Sequence, residues 1–389
     1  MPAPKELLQE RIARVQNALR ESYNAPMLVT DPANVGWLSG IPTDFQKDAR
    51  MLVTPDAAWF ITDGRYENRV PEIPGVKTYI WGTKHVHQYP ELRELVNGAS
   101  TLVVDTKGLP LDIYHALPAM LGVKKLEAPS GFLDRLRMIK GERELVLIRE
   151  ALEIAMNAFR WSVEEWLPAN IATATDMDYR DAFDAHCDEM GGEGMSFETI
   201  VAMDFDGDTP HPDMSRAPRP LKDGKTMLVD WGIFYKGVCT DLTRMILLGR
   251  SELPAEIAKL RDLQVVWMDD VIGEMVPGKP AWAAGMKYVE GMKAAGIERP
   301  FHGAGHGTGG AYVHELPRAS LRPEGQDDFG IPFPQSIVLE PGMIITSEPG
   351  MYEKGVGAYR TENMVLVTKD GYEIMDAALT LEPFVAMPK

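Results

Sequence analysis

The sequence has few of the features that mark a secreted or membrane-embedded protein. Among 389 residues only Cys187 and Cys239 are cysteines, too few for a disulfide framework or, by themselves, for a structural zinc site. No stretch approaches the roughly 18 uninterrupted apolar residues of a membrane span. The charged segment 1–23 lacks the hydrophobic region of a secretory signal. We therefore expect a cytoplasmic protein that has no membrane partner.

Basic residues are outnumbered by acidic residues. Lys and Arg total 40 against 57 Asp and Glu, which gives a net charge of −17. Proteins that bind nucleic acid or anionic membranes need a basic face, so we expect neither partner. With 45% hydrophobic and 25% charged residues, the composition is typical of a globular protein. The length predicts two domains or three small ones.

The chain is expected to divide near residues 134–141. Before this segment, an amphipathic helix is followed by short β-rich runs that alternate with helical patterns, which predicts a small α/β domain over 1–134. Beyond it, helical periodicity at 142–167, 175–190, 253–275 and 280–295 is combined with strand-like segments. The region 135–389 is therefore expected to be an α+β domain with antiparallel strands.

Two carboxylates interrupt apolar strands in this second region. Asp230 follows Met-Leu-Val and Asp241 follows Val-Cys-Thr, and their midpoint falls in the turn-like segment 235–237. A symmetric hairpin would place the two side chains opposite each other, with Cβ atoms about 4.5–5.5 Å apart. Two ionised carboxylates at that distance require a proton or a cation between them. A solvent-facing strand with two unrelated acids is the alternative.

A second acidic pair repeats this geometry. Glu348 and Glu362 are equidistant from Gly355 in a glycine-rich connection, so a hairpin would bring them together, although Pro349 interrupts the ladder. A purely structural pair is the alternative here.

Three of the eight histidines, His302, His306 and His314, fall within 13 residues of a glycine-rich segment. Dense glycines bring the backbone close to another group and leave the imidazoles accessible. A single histidine is more often a core or surface residue than a ligand. The segment has neither the G-x-G-x-x-G order nor the lysine of a phosphate-binding loop.

Together, two Asp, one His and two Glu form an oxygen-rich donor set with one imidazole. Carboxylates suit Mn²⁺ or Mg²⁺, and imidazole adds Zn, Fe or Co. Four carboxylates balance the charge of two divalent ions. Two ions roughly 3.5–4 Å apart can bridge and acidify a water and stabilise the oxyanion of amide hydrolysis. The set therefore predicts a dinuclear metal centre.

At these residues the sequence resembles the pita-bread metallopeptidases, the fold of methionine aminopeptidase, prolidase, aminopeptidase P and creatinase. The Asp-x10-Asp, Gly-His-Gly, Glu-Pro-Gly and Arg-x-Glu patterns occur in the family's order, and segments 31–40, 62–66 and 136–140 resemble motifs of its two-domain, proline-specific branch. The resemblance implies an α+β protein with a pita-bread catalytic domain over 135–389, preceded by a creatinase-type α/β domain over 1–134. It also implies a homodimer with two divalent metal ions, Mn²⁺ being favoured and Co²⁺, Zn²⁺ or Fe²⁺ the alternatives.

The resemblance also assigns roles to individual residues. The implied metal ligands are Asp230, Asp241, His306, Glu348 and Glu362. His211 and His314 match catalytic histidines that stabilise charge, and Glu348 is the implied proton shuttle. The implied substrate-binding residues are His302, Arg360 and Arg318. Arg318 resembles a prolidase arginine that holds the dipeptide carboxylate, and a surface salt bridge is the alternative for it.

Two departures from the family pattern bear on substrate choice. His314 lies one residue farther from His306 than is usual, so its side chain is expected to be displaced. The segment 320–338 is longer than in compact relatives, and this insertion is expected to border the pocket.

The implied activity is hydrolysis of the Xaa-Pro bond of a small peptide, by a dipeptidase or an aminopeptidase, in which a metal-bridging hydroxide attacks the scissile carbonyl. One alternative is a non-peptide hydrolase or lyase that acts on a creatine- or ectoine-like compound. Another is an inactive binding module that keeps the fold. The intact ligand set argues against both.

Overall fold

In the computed structural model the chain forms two compact units, Met1–Arg137 and Met138–Lys389. The structure describes residues 3–41, 48–70, 72–81, 92–105, 107–204, 209–298, 301–310, 312–320 and 337–389. The boundary expected from the sequence, between residues 134 and 135, falls inside the helix Phe132–Met138. Among the described residues, no helix combines the length and the apolar character needed to cross a bilayer.

The first unit is built on a mixed sheet. Its described strands are β1 (Met27–Val29), β2 (Arg50–Val53), β3 (Ala58–Asp63), β4 (Val76–Trp81), β5 (Thr101–Val104) and β6 (Lys125–Glu127), in the order β4-β3-β2-β1-β5-β6. Its described helices are α1 (Lys5–Ser22), α2 (Pro32–Ser39), α3 (Leu111–Leu121) and α4 (Phe132–Met138). Strand β1 pairs antiparallel with β2 and parallel with β5. The apolar residues that recur at helical spacing in α1 are buried, as their periodicity predicts.

The second unit has two larger sheets. Its described strands are β7 (Ile200–Met203), β8 (Thr226–Trp231), β9 (Phe234–Tyr235), β10 (Val238–Cys239), β11 (Leu242–Leu248), β12 (His306–Gly307), β13 (Glu315–Arg318), β14 (Ile344–Ser347), β15 (Met351–Glu353), β16 (Gly357–Tyr359), β17 (Asn363–Val367), β18 (Tyr372–Ile374) and β19 (Phe384–Ala386). One sheet has the order β19-β11-β8-β7 and the other the order β13-β12-β14-β17-β18. An isolated bridge between Thr243 and Glu362 joins the two sheets.

The helices of the second unit follow the predicted periodicity closely. They are α5 (Glu142–Trp161), α6 (Leu167–Asn170), α7 (Asp176–Glu189), α8 (Ala255–Ile272) and α9 (Trp282–Ala294). A π-helical turn, Ser162–Trp166, separates α5 from α6. On the ring of Trp231 in β8, Phe159 of α5 stacks at 4.6 Å and Phe183 of α7 packs edge-on at 5.8 Å. These contacts fix β8, the strand that carries Asp230, against the helical layer.

The first acidic hairpin exists, but its predicted register is wrong. Lys236 and Gly237 both have positive φ, 47° and 81°, and Tyr235 pairs with Val238. A two-residue turn of this kind matches the twist of the flanking strands. The cross-strand partner of Asp230 is therefore Thr243, and Asp241 lies just before β11 instead of opposite Asp230.

The second acidic hairpin has the predicted register. Ser347 pairs with Asn363 in β14 and β17, and Glu353 pairs with Gly357 in β15 and β16. Both pairings are symmetric about Gly355. Glu348 and Glu362 accordingly occupy equivalent positions just beyond the paired ends of β14 and β17.

Candidate metal centre

The ten side chains predicted to form the site all line one cavity of the second unit, with a volume of about 480 Å³. They are His211, Asp230, Asp241, His302, His306, His314, Arg318, Glu348, Arg360 and Glu362. The described lining also includes Phe197, Glu198 and Met214, which the sequence pattern did not identify. These residues follow no chemical motif, so only the tertiary fold reveals them.

The five predicted ligands lie at strand ends where the two sheets approach each other. Asp230 is in β8, Asp241 precedes β11, His306 begins β12, and Glu348 and Glu362 flank β14 and β17. Thr243, a neighbour that was not predicted, connects them. It is the cross-strand partner of Asp230, and its hydroxyl donates to Glu362 Oε2 at 2.8 Å.

The imidazole of His306 is directed at the carboxylates. One donor atom each of Asp241, His306 and Glu362 lies within 4.8 Å of the others. His306 Nε2 lies 3.5 Å from Asp241 Oδ2 and 3.4 Å from Glu348 Oε1. Nδ1 lies 3.1 Å from the carbonyl of Gly307, and when its N–H donates there the lone pair of Nε2 faces the carboxylates. Burial lowers the pKa of His306 to about 3, which favours the neutral, ligating imidazole.

The carboxylates are buried, which disfavours their charged form. Burial raises the pKa of Asp241 and Glu362 well above the usual range, and repulsion between the clustered carboxylates raises it further. Burial also raises the pKa of Glu348 to about 7, against the opposing effect of Arg360. Such a cluster needs protons or cations to stay together.

Asp230 provides an independent test of whether metal ions fit. Its Oδ2 accepts from Arg360 at 2.5 Å, but its Oδ1 is buried without a hydrogen-bond partner among the described residues. An unsatisfied buried oxygen costs free energy, and coordination of a cation would recover it. The donor set therefore fits divalent metal ions.

The guanidinium of Arg360 is hydrogen-bonded to other groups of the protein. Besides Asp230, it donates to the hydroxyl of Tyr352 at 2.6 Å and to the carbonyl of Pro210 at 3.2 Å. The Tyr352 hydroxyl also lies 2.9 Å from His302 Nε2. Tyr352 was not predicted from the sequence.

The three remaining histidines surround the carboxylates. The ring of His314 lies 4.2 Å from the ring of His306, centroid to centroid. His302 Nδ1 is 3.8 Å from Glu348 Oε2, and burial lowers its pKa to about 3. His211 is exposed and follows Pro210, whose carbonyl accepts from Arg360. Each histidine thus presents a ring to the cavity.

Arg318 lines the same cavity as the five predicted ligands. It is the cross-strand partner of His306 in β12 and β13, and it is exposed. Within the described part of the chain it has no carboxylate partner, so the surface salt bridge considered as its alternative is not observed there. Its donors are available to a negatively charged group in the cavity.

The extra residue between His306 and His314 is accompanied by a register shift between His306 and Gly307 in the pairing of β12 with β13. His314 still lines the cavity, so the expected displacement does not remove it from the site. The insertion predicted at 320–338 falls almost entirely outside the described residues.

Comparison with known proteins gives consistent matches along the chain. Residues 146–369 match metallopeptidase family M24, and residues 11–139 match the creatinase/prolidase N-terminal domain. The chain is 28% identical over 369 residues to the uncharacterized peptidase YqhT of Bacillus subtilis, covering 93% of this chain and 96% of that protein. It is 25% identical over 373 residues to a Xaa-Pro dipeptidase of Pyrococcus horikoshii, covering 94% and 96%. The crystal structure of an X-Pro aminopeptidase from Thermotoga maritima has the same fold, with a TM-score of 0.80 at 21% identity over 96% of this chain and 99% of that one.

Proposed function

This chain belongs to metallopeptidase family M24, and we propose that it uses divalent metal ions to hydrolyse the peptide bond that precedes proline. Membership of the family confirms the resemblance found in the sequence, together with the α+β fold and the enzyme class. Proline specificity is supported by a relative named Xaa-Pro dipeptidase, similar over 94% of this chain.

One observation carries the proposal. Five donors from separate segments of the chain meet at one cavity, and Asp230 Oδ1 is buried there without a partner among the described residues. Asp230, Asp241, His306, Glu348 and Glu362 would hold the ions. Two divalent ions balance four carboxylates, and Mn²⁺ is the first choice because the set is mainly carboxylate. When bound, such ions acidify a water and polarise the scissile carbonyl.

The protein's own side chains would move protons and stabilise charge. Burial raises the pKa of Glu348 to about 7 in the metal-free protein, and this carboxyl, which lines the cavity, is the proposed proton shuttle. His211 and His314 line the same cavity and are suited to donate hydrogen bonds to the carbonyl oxygen as negative charge develops on it.

Arg318 favours dipeptides over longer peptides. A dipeptide ending in proline carries its carboxylate one residue from the scissile bond, and a planar guanidinium binds carboxylates in a two-point arrangement. Arg318 lies across the strand pair from His306 and has no carboxylate partner among the described residues, so it is placed to receive that group. We extend the proposal to a dipeptidase that works as a cytoplasmic homodimer; low cysteine content supports the compartment, and family resemblance supports the dimer.

The proposal is tested by metal quantification coupled to peptide assays. Protein stripped of metal and then reloaded with Mn²⁺, Co²⁺, Zn²⁺ or Fe²⁺ is assayed for proline release from Ala-Pro and for alanine release from Ala-Pro-Ala. We expect faster turnover of Ala-Pro, loss of activity on chelation, and no recovery by metal in Asp241→Ala. Asp370→Ala, at an exposed turn, is the matched control.

Three results would contradict the proposal in different ways. Unchanged hydrolysis after metal removal would refute the metal-dependent mechanism. Full metal loading without turnover of any Xaa-Pro peptide would indicate a non-peptide reaction. Failure to bind metal at neutral pH would indicate a binding module.

A further inference from the structure

A buried ion pair lies against Gly309 and Gly310, between His306 and His314 in the sequence. Lys140 Nζ is 2.9 Å from Glu315 Oε2, and the two side chains are 1% and 2% exposed. Neither residue lines the cavity, and no step proposed above uses them. Removing two charges from water at this depth is costly even when they are paired, so the presence of this pair requires a reason.

The glycines of the loop allow the backbone to lie against this pair. A Cβ atom at Gly310 would be 2.4 Å from Glu315 Oε1, and one at Gly309 would be 3.4 Å from Lys140 Cε. Gly309 also has a φ of 90°, which disfavours other residues. At Gly309 and Gly310, the dense glycines noted in the sequence therefore let the backbone approach a buried ion pair closely.

Strand β13 connects the pair to the cavity. Glu315 begins the strand and is buried, whereas His314 just before it and Arg318 at its far end are exposed and line the cavity. Successive side chains of a strand point to opposite sides, so fixing Glu315 on the inner side fixes the direction of His314 on the outer side. Glu315 also pairs with Gly307 in β12.

Lys140 is itself held by backbone contacts. Its N–H donates to the carbonyl of Gly342 at 2.8 Å, two residues before β14, the strand that leads to Glu348. The ion pair therefore links β13 to the segment that leads into β14 and to Glu348. A displacement of Lys140 would be transmitted to β13.

We propose that Lys140 and Glu315 are positioning residues, whose ion pair holds β13 so that His314 and Arg318 face the substrate. This inference rests on the proposed function. Neither residue is among those that line the cavity. Loss of an outer partner that orients an active-site group typically lowers activity about 10–100-fold.

The first experiment separates positioning from stability. Lys140→Met removes the positive charge that faces the buried carboxylate of Glu315, and we expect it to lower both Tm and kcat/KM. The double variant Lys140→Met/Glu315→Met removes both charges and keeps side chains of similar size. We expect its Tm and metal content to recover, while its kcat/KM stays about 10–100-fold below that of the parent. Recovery of kcat/KM together with Tm would show that the pair is only structural.

The second experiment asks whether Lys140 acts through His314. His314→Ala is combined with Lys140→Met, although the two residues are far apart in the sequence. If the lysine only positions the histidine, the combined variant loses no more kcat than the more damaging single variant. Losses that multiply would overturn the inference. Arg149→Met, which breaks the exposed ion pair with Glu373, is the control and should leave kcat unchanged.

The positioning role can also be tested by crystallography, which does not require the substrate to be known. In a crystal structure of the double variant, we expect the ring of His314 to leave its position 4.2 Å from the ring of His306. An unchanged ring separation would refute the positioning role whatever the enzyme acts on. A parent enzyme without Xaa-Pro turnover would instead count against the proposed function alone.

Discussion

Glu348 should make the stability of the metal-free protein fall as the pH rises, and Glu348→Gln should remove that contribution. Burial raises the pKa of this carboxyl from 4.5 to about 7; Arg360 opposes the rise and Asp230 adds to it. Because the folded-state pKa lies above the unfolded one, the folded protein binds this proton more tightly. The resulting stability is fully present below pH 4.5 and is lost as the pH rises through 7.

The size of the effect follows from these values. Between pH 5 and pH 8, the loss integrates to about 2.5 kcal/mol. For a unit of this size that is about 5–10 °C in Tm. Burial lowers the pKa values of His302 and His306 from 6.5 to about 3. These residues contribute in the opposite direction, because the stability that they confer on the protein is lost as the pH falls below 6.5. The parent protein alone therefore does not isolate Glu348.

The assay is a comparison of thermal unfolding between metal-free parent and variant at pH 5 and pH 8. We expect the Tm of Glu348→Gln, relative to the parent, to be about 5–10 °C higher at pH 8 than at pH 5. Glu353→Gln, an exposed position on the same hairpin, should show the same difference from the parent at both pH values. An equal Tm difference at both pH values for Glu348→Gln would refute the reasoning.

Three further outcomes are expected. Arg318→Met should raise KM for Ala-Pro about tenfold or more in steady-state assays, with a smaller effect on Ala-Pro-Ala, because a charge-assisted hydrogen bond to the carboxylate is lost. Arg244→Met removes the charged partner of Asp376, which lies 2.6 Å away and is fully buried, and should cost about 3–5 kcal/mol in urea unfolding. Gly305→Ala would place a Cβ atom 1.8 Å from the carbonyl of Thr346, so elemental analysis should find reduced metal content.

Each of these outcomes has its own control. Arg149→Met should leave both KM values unchanged. The double variant Arg244→Met/Asp376→Leu should recover part of the lost stability, and equal loss in both would contradict the ion-pair argument. In Gly303→Ala the nearest atom to the new Cβ lies 3.9 Å away, so metal content should be retained; loss in both glycine variants would point to a general effect on the loop.

The two acidic hairpins show how far the sequence determines local structure. For Glu348 and Glu362, symmetry about Gly355 gave the right register because the strands are paired evenly on both sides of the connection. For Asp230 and Asp241 the same reasoning failed. Two positive φ values, at Lys236 and Gly237, shift the centre of the turn, and nothing in residue spacing alone specifies backbone dihedral angles of that kind.

By itself, the sequence determined the helices of the second unit, the two groups of strands and the types of donor atoms, because periodicity and side-chain chemistry are local properties. The family assignment confirms the fold and the metallopeptidase class that those donors implied. Only the tertiary structure decided that Thr243 joins the two sheets, that Tyr352 links Arg360 to His302, and that Asp230 keeps one oxygen without a partner among the described residues. Thr243 and Glu362 are 119 residues apart and His302 and Tyr352 are 50 residues apart, so these contacts depend on how whole sheets pack.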